Sequence, residues 1–134
     1  MAKKSATGID RIFRAFGWSM SGLKAAFIKE AAFRQEFLAC VVLAPLALYL
    51  GKTGLVKALL LGSLMLVLIV VLLNSAIEAT VDRISNDYHD LAGHGNDMGS
   101  AAVFFSLLHD VILFVFVIFH YILQCYVILF LLSS

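Results

Sequence analysis

Charge is what this chain has least of. Asp, Glu, Lys and Arg make up 14% of its 134 residues, against about 25% in a soluble domain. Ten Lys/Arg and nine Asp/Glu cannot cover the surface of a small domain that is 62% apolar, with a mean hydropathy of +0.97. A water-soluble fold is therefore excluded. Two cysteines, Cys40 and Cys125, are too few for a disulfide scaffold, and both fall in apolar stretches where they read as small apolar residues. A single proline and nine glycines exclude collagen-like and low-complexity chains. A net charge of +1 gives no sign of nucleic-acid binding. No Gly-x-x-x-x-Gly-Lys-Ser/Thr run is present, and Gly93 to Gly95 reads as a flexible turn without the phosphate-binding lysine. His109 and His120 have no Cys or His partner at zinc-ligand spacing and read as interface and packing residues. The alternating pattern of a membrane barrel is missing too.

What remains is long uncharged sequence. Roughly 20 apolar residues at 1.5 Å each cross about 30 Å of hydrocarbon. Residues 37–50 carry no charge, and a helix there can start near Ala31, with Arg34 and Glu36 at the interface. Residues 58–77 are uncharged, interrupted by Ser63, Asn74 and Ser75, and residues 111–132 are uncharged with His120 and Gln124 inside. Pro45 lies in the first span, which membrane helices tolerate. Gly51-Lys52-Thr53-Gly54 is a short turn joining the first two spans as a hairpin. The expected fold is an all-α membrane protein of one domain, 1–134, with membrane helices at 31–50, 58–77 and 98–132.

Residues 8–30 precede the first span. Ile9, Ile12, Phe13, Phe16, Met20, Leu23 and Phe27 recur at helical spacing, with Arg11, Arg14, Lys24 and Lys29 against them. That is a basic amphipathic helix for the membrane surface, with Gly17 or Gly22 available as a break. No cleavable signal pattern precedes the first span. Seven Lys/Arg stand on the N-terminal flank (Lys3, Lys4, Arg11, Arg14, Lys24, Lys29, Arg34), two flank the hairpin turn, and one, Arg83, lies in the acidic loop between residues 82 and 97. The positive-inside rule then puts the N-terminus in the cytoplasm and the C-terminus outside.

The polar residues gather at one depth. Asn74, Glu78 and Asp82 stand at i, i+4 and i+8 along the cytoplasmic end of the second span. Val71 lies three residues before Asn74, on the face that Asn74 shares with Glu78. Glu30, Arg34 and Glu36 sit at the same end of the first span, and Asp97 precedes the third in Asp97-Met98-Gly99-Ser100-Ala101-Ala102. A carboxylate near hydrocarbon is costly and marks a functional-site hypothesis. Acids from three segments at one depth suit a divalent cation such as magnesium, which keeps phosphates among its ligands, with Glu30 and Glu78 as the natural metal ligands. Taken singly, Asn74 reads equally well as helix–helix glue, Glu78 and Asp82 as a solvated helix end beside Arg83, and Asp87-Tyr88-His89-Asp90 as a loop with capping acids. Spacing supports a polar cytoplasmic site and names no reaction.

The runs Glu30-Ala31-Ala32-Phe33-Arg34-Gln35-Glu36, Asn74-Ser75-Ala76-Ile77-Glu78-Ala79-Thr80-Val81-Asp82-Arg83-Ile84 and Asp97-Met98-Gly99-Ser100-Ala101-Ala102-Val103 closely resemble the prokaryotic integral-membrane diacylglycerol kinases. So do Arg11, Gly17-Trp18-Ser19 and Gly22-Leu23-Lys24-Ala25-Ala26, and the resemblance runs in order through residues 8–105. It implies a homotrimer of three-helix subunits, each with a surface helix, in the bacterial inner membrane. The reaction it implies is transfer of the γ-phosphate of MgATP to a lipid hydroxyl, with ATP and the membrane lipid as partners. By this resemblance Glu30 and Glu78 hold the metal–triphosphate, while Asp82, Asp97, Arg11 and Trp18 lie at the nucleotide. Arg11, Ser19 and Asn74 lie toward the lipid, and Asn74 and Asp97 act at the reacting centre. Two positions depart from the family pattern. Its general-base glutamate, three residues before the Asn, is here Val71, and its phosphate-contacting lysine before Asp-Met-Gly-Ser is here Asn96. His109 and Asp110 are polar residues available to replace the base, although Asp110 is three turns into the third helix from Asp97. The readings that follow are a diacylglycerol kinase, a kinase for another lipid such as a polyprenol, and a non-catalytic relative that binds nucleotide or lipid. A small assembly protein fits the clustered acids poorly.

Overall fold

The computed structural model describes residues 8–84 and 90–133. Four helices account for nearly all of them: α1 (Gly8–Lys29), α2 (Ala31–Leu50), α3 (Gly54–Ile84) and α4 (Asp90–Ser133). No strand occurs among the described residues. Lys3, Lys4, Asp87, Tyr88 and His89, which the sequence assigns to the basic flank and the acidic loop, lie outside the described residues. α2, α3 and α4 are each long and apolar enough to cross a membrane.

The helices outrun the expected spans. α3 has 31 residues and α4 has 44, about 46 and 66 Å at 1.5 Å per residue, where residues 58–77 and 98–132 were expected. Charge ends the hydrocarbon but need not end a helix, so Glu78, Asp82 and Arg83 stay within α3, and Asp90 to Asp97 belong to α4. The expected loop from 82 to 97 is correspondingly shorter, and Gly93 to Gly95 are helical, not a flexible turn. α1 also runs unbroken through Gly17 and Gly22.

The break comes at Glu30, whose backbone is extended at φ −104° and ψ 110°. Arg34 secures it: one guanidinium nitrogen donates to Phe27 O at 3.1 Å and Ile28 O at 3.0 Å, covering carbonyls that the end of α1 leaves unpaired. At the other turn, Gly51 N donates to Ala47 O at 2.9 Å, and a Cβ on Gly51 would strike Lys57. Thr53 Oγ1 then caps α3 by accepting from Val56 N at 3.2 Å. Lys52 N donates to Tyr121 Oη at 3.2 Å, tying the hairpin turn to α4.

Two apolar clusters hold the bundle. Ala26, Phe33, Val67 and Val71 pack together at the end near α1. Ala47, Leu60, Leu64 and Phe114 pack together at the end near the hairpin turn. Most other apolar residues of α2, α3 and α4 are exposed, as expected where lipid and not water is the solvent. Along α1, Ile9, Ile12, Phe13, Phe16 and Trp18 are exposed as well, and Ala26 is its buried residue.

Candidate functional site

The site grows from the seam between α3 and α4. Asn74 Nδ2 donates to Glu78 Oε1 at 2.7 Å, one turn along α3. A carboxylate accepts and cannot donate, so Asn74 must offer Glu78 its amide nitrogen, and Asn74 Oδ1 is turned elsewhere. That oxygen is buried without a hydrogen-bond partner. It lies against Gly99, where a Cβ would collide with it, so any larger residue there would have to displace the Asn74 amide. Asn96, one turn before Gly99, has a second buried and unpartnered amide oxygen. A buried polar atom left unpaired is uncommon and calls for a ligand or water.

The remaining sequence-derived residues divide between two other places. Ser19 and half-buried Glu30 line a groove of about 580 Å3 between α1 and α3, with Lys29, Leu72, Ser75 and Ala79. Ser19 Oγ donates to Ala15 O at 2.9 Å in its own helix. Glu78 is not among the residues lining this groove. Arg11 and Trp18 are exposed and line an open hollow along α1 with Arg14 and Ala15. Asp82, on the last turns of α3, and Asp97, on α4, are exposed.

Val71 is 3% exposed, packed with Ala26, Phe33 and Val67, so no titratable group occupies that position on the Asn74 face. Among the described residues, no three His, Cys, Asp or Glu side chains gather into a metal cage. The charged donor at the seam is the Glu78 carboxylate, held by the Asn74 amide. Such a donor fits a hard divalent cation that takes one or two carboxylates and completes its shell with water and phosphate. Reading the sequence alone misses Gly99 as a contact of Asn74, and misses the buried pair of Ser63 and Asp110 deeper in the seam. Their only signal is that two polar residues interrupt otherwise apolar helix.

Comparison with known proteins adds the family. Residues 17–119 match the prokaryotic diacylglycerol kinase family. A diacylglycerol kinase of Escherichia coli (strain K12) is 51% identical over 106 residues, covering 79% of this chain and 87% of that protein. A diacylglycerol kinase of Pseudomonas aeruginosa is 52% identical over 104 residues, 78% of this chain and 85% of that protein. One from Helicobacter pylori (strain 26695) is 41% identical over 103 residues, 77% of this chain and 80% of that protein.

Proposed function

This chain belongs to the prokaryotic diacylglycerol kinase family, and from that premise we propose that it phosphorylates a membrane lipid hydroxyl with MgATP. Diacylglycerol is the proposed acceptor, phosphatidic acid the product, and a homotrimer in the bacterial inner membrane the working form. The observation that carries this reading is Asn74 Oδ1, buried and unpartnered while Glu78 holds the other end of the same amide. An acceptor fixed in that way can accept a hydrogen bond from a lipid hydroxyl and orient its oxygen for in-line attack. The Glu78 carboxylate, with Glu30 as the second proposed ligand, would hold magnesium. The metal supplies charge neutralisation at the phosphates when bound. Arg11, Trp18, Asp82 and Asp97 are the proposed nucleotide contacts, and Arg11 and Ser19 the proposed head-group contacts.

Phosphoryl transfer depends mainly on positioning and electrostatic stabilisation, through a loose transition state to which a base adds a further factor in rate. Val71 in place of a carboxylate therefore lowers the rate by roughly the 10²–10⁴-fold that general bases contribute, without removing the reaction. The same observation favours a second reading, a relative that binds nucleotide or lipid without transfer, since Val71 is packed in an apolar cluster.

An ATP-dependent phosphorylation assay on the purified protein in mixed micelles separates the readings, with diacylglycerol and a polyprenol offered side by side. Magnesium-dependent labelling of diacylglycerol is expected. Labelling of the polyprenol alone would move the substrate assignment, and labelling of neither by a protein that binds MgATP would favour the non-catalytic reading.

A further inference from the structure

Ser63 and Asp110 are polar residues buried inside the membrane-spanning part of the bundle, 2% and 8% exposed. Ser63 Oγ donates to Asp110 Oδ1 at 2.5 Å, across from α3 to α4, and also lies 2.8 Å from Leu60 O. Neither residue has a place in the chemistry proposed above. Along α3 Ser63 stands between Leu60 and Leu64 of one apolar cluster and a turn before Val67 of the other, and along α4 Phe114 lies one turn beyond Asp110.

Its position along the seam is informative. Ser63 precedes Asn74 by 11 residues, and Asp110 follows Gly99 by the same 11. Eleven residues are about three helical turns, roughly 16 Å, and return to the same helix face. The two antiparallel helices therefore meet at two points in one register: Gly99 under Asn74 at the candidate site, and Asp110 on Ser63 three turns deeper. If α4 slid by one turn in either direction, Asp110 would face Leu59 and Leu60, or Leu66 and Val67. A carboxyl group without a polar partner at that depth is strongly disfavoured. Apolar membrane seams otherwise discriminate weakly between registers, because each slipped pairing buries similar surface. A single buried polar residue is the best-attested way to choose among them.

We infer that Ser63 and Asp110 form a register lock that keeps Gly99 beneath Asn74, and so holds the Asn74 amide that is bonded to Glu78. Asp110 is a positioning residue, acting through α4. This rests on the kinase reading only for its effect on turnover; its effect on register stands independently.

Spin labels at Leu55→Cys and Ala101→Cys, in a Cys40→Ala/Cys125→Ser background and diluted with unlabelled protein, report the axial offset of α3 and α4. The parent should give one narrow distance. Asp110→Leu should add a population shifted by about one turn, 5.4 Å, and lower lipid turnover at least fivefold with KM for MgATP raised. Asp110→Asn, whose amide can donate to Ser63 Oγ, should keep the parent distance. The exchange Ser63→Asp/Asp110→Ser should restore both distance and turnover. One narrow, unshifted distance in Asp110→Leu overturns the inference, as does an Asp110→Asn or exchange variant that behaves like Asp110→Leu. If the parent phosphorylates no lipid, the kinase reading fails, and the distances still decide the lock.

Discussion

Asn74 gives its amide nitrogen to Glu78 and turns its oxygen toward Gly99, so a change at either neighbour moves it. A methyl group at Gly99 would force α4 away or push the amide aside. Because misplacement by about 1 Å can cost on the order of 10²-fold in rate, Gly99→Ala should lose about that much turnover while helix content, read by circular dichroism, is retained. Glu78→Gln is a finer change, since its amide oxygen can still accept from Asn74. It removes one charge, and MgATP binding should weaken more than about tenfold, charge-assisted contacts being worth a few kcal/mol. Unchanged affinity in folded Glu78→Gln would remove Glu78 from the metal site. Val71 faces Ala26 and Phe33, so Val71→Glu places a carboxylate in hydrocarbon, at about 2.5–3.5 kcal/mol. Combined with Asn96→Lys it should nevertheless raise lipid phosphorylation on the order of 10²-fold, at the cost of a lower unfolding midpoint. A double variant that folds, binds MgATP and labels no lipid would argue for the non-catalytic reading.

Among the elements, α4 divides into two parts. Up to Tyr121 it packs on α3 and meets the hairpin turn, where Lys52 Nζ also stands 5.6 Å from the Tyr121 ring centre. Beyond it, residues 122–133 are exposed and carry no charge, and the family match has already stopped at 119. A helix that is apolar all round belongs in lipid or a protein interior. The candidate site lies at the other end of α4, so a chain ending at Tyr121 should keep membrane insertion and should phosphorylate lipid within about twofold of the parent, the usual range for changes remote from packed contacts. A tenfold loss, measured in the same micelles, would show that the last turns hold α4 in place.

For the whole molecule, the placement of charge predicts the orientation. Lys and Arg crowd the N-terminal flank, while Lys52 and Lys57 are the cations at the hairpin turn. With three helices able to cross the membrane, a cytoplasmic N-terminus puts residue 134 outside. An alkaline phosphatase fused after residue 134 should be active and a green fluorescent protein there dark. The opposite pattern would invert the topology and place the Asn74–Glu78 pair away from cytoplasmic ATP.

Helix number and the apolar regions that cross the membrane were legible in the sequence because lipid leaves the backbone no choice but to satisfy itself, so uncharged length alone marks a span. That Asn74 and Glu78 share one stripe of a helix was legible for a local reason: residues four apart on one helix are neighbours whatever else the chain does. Helix ends were less so, since Glu78, Asp82 and Asp90 stop the hydrocarbon without stopping the helix. What only the tertiary structure decided lies between helices: Gly99 against Asn74, Asp110 on Ser63, Val71 sealed among Ala26 and Phe33, and Glu30 in the groove between α1 and α3. Those depend on how α1 and α4 are rotated and shifted against α3. A helix that is apolar on every side carries no local pattern to say which face turns inward, so that choice is made by the packed seam itself.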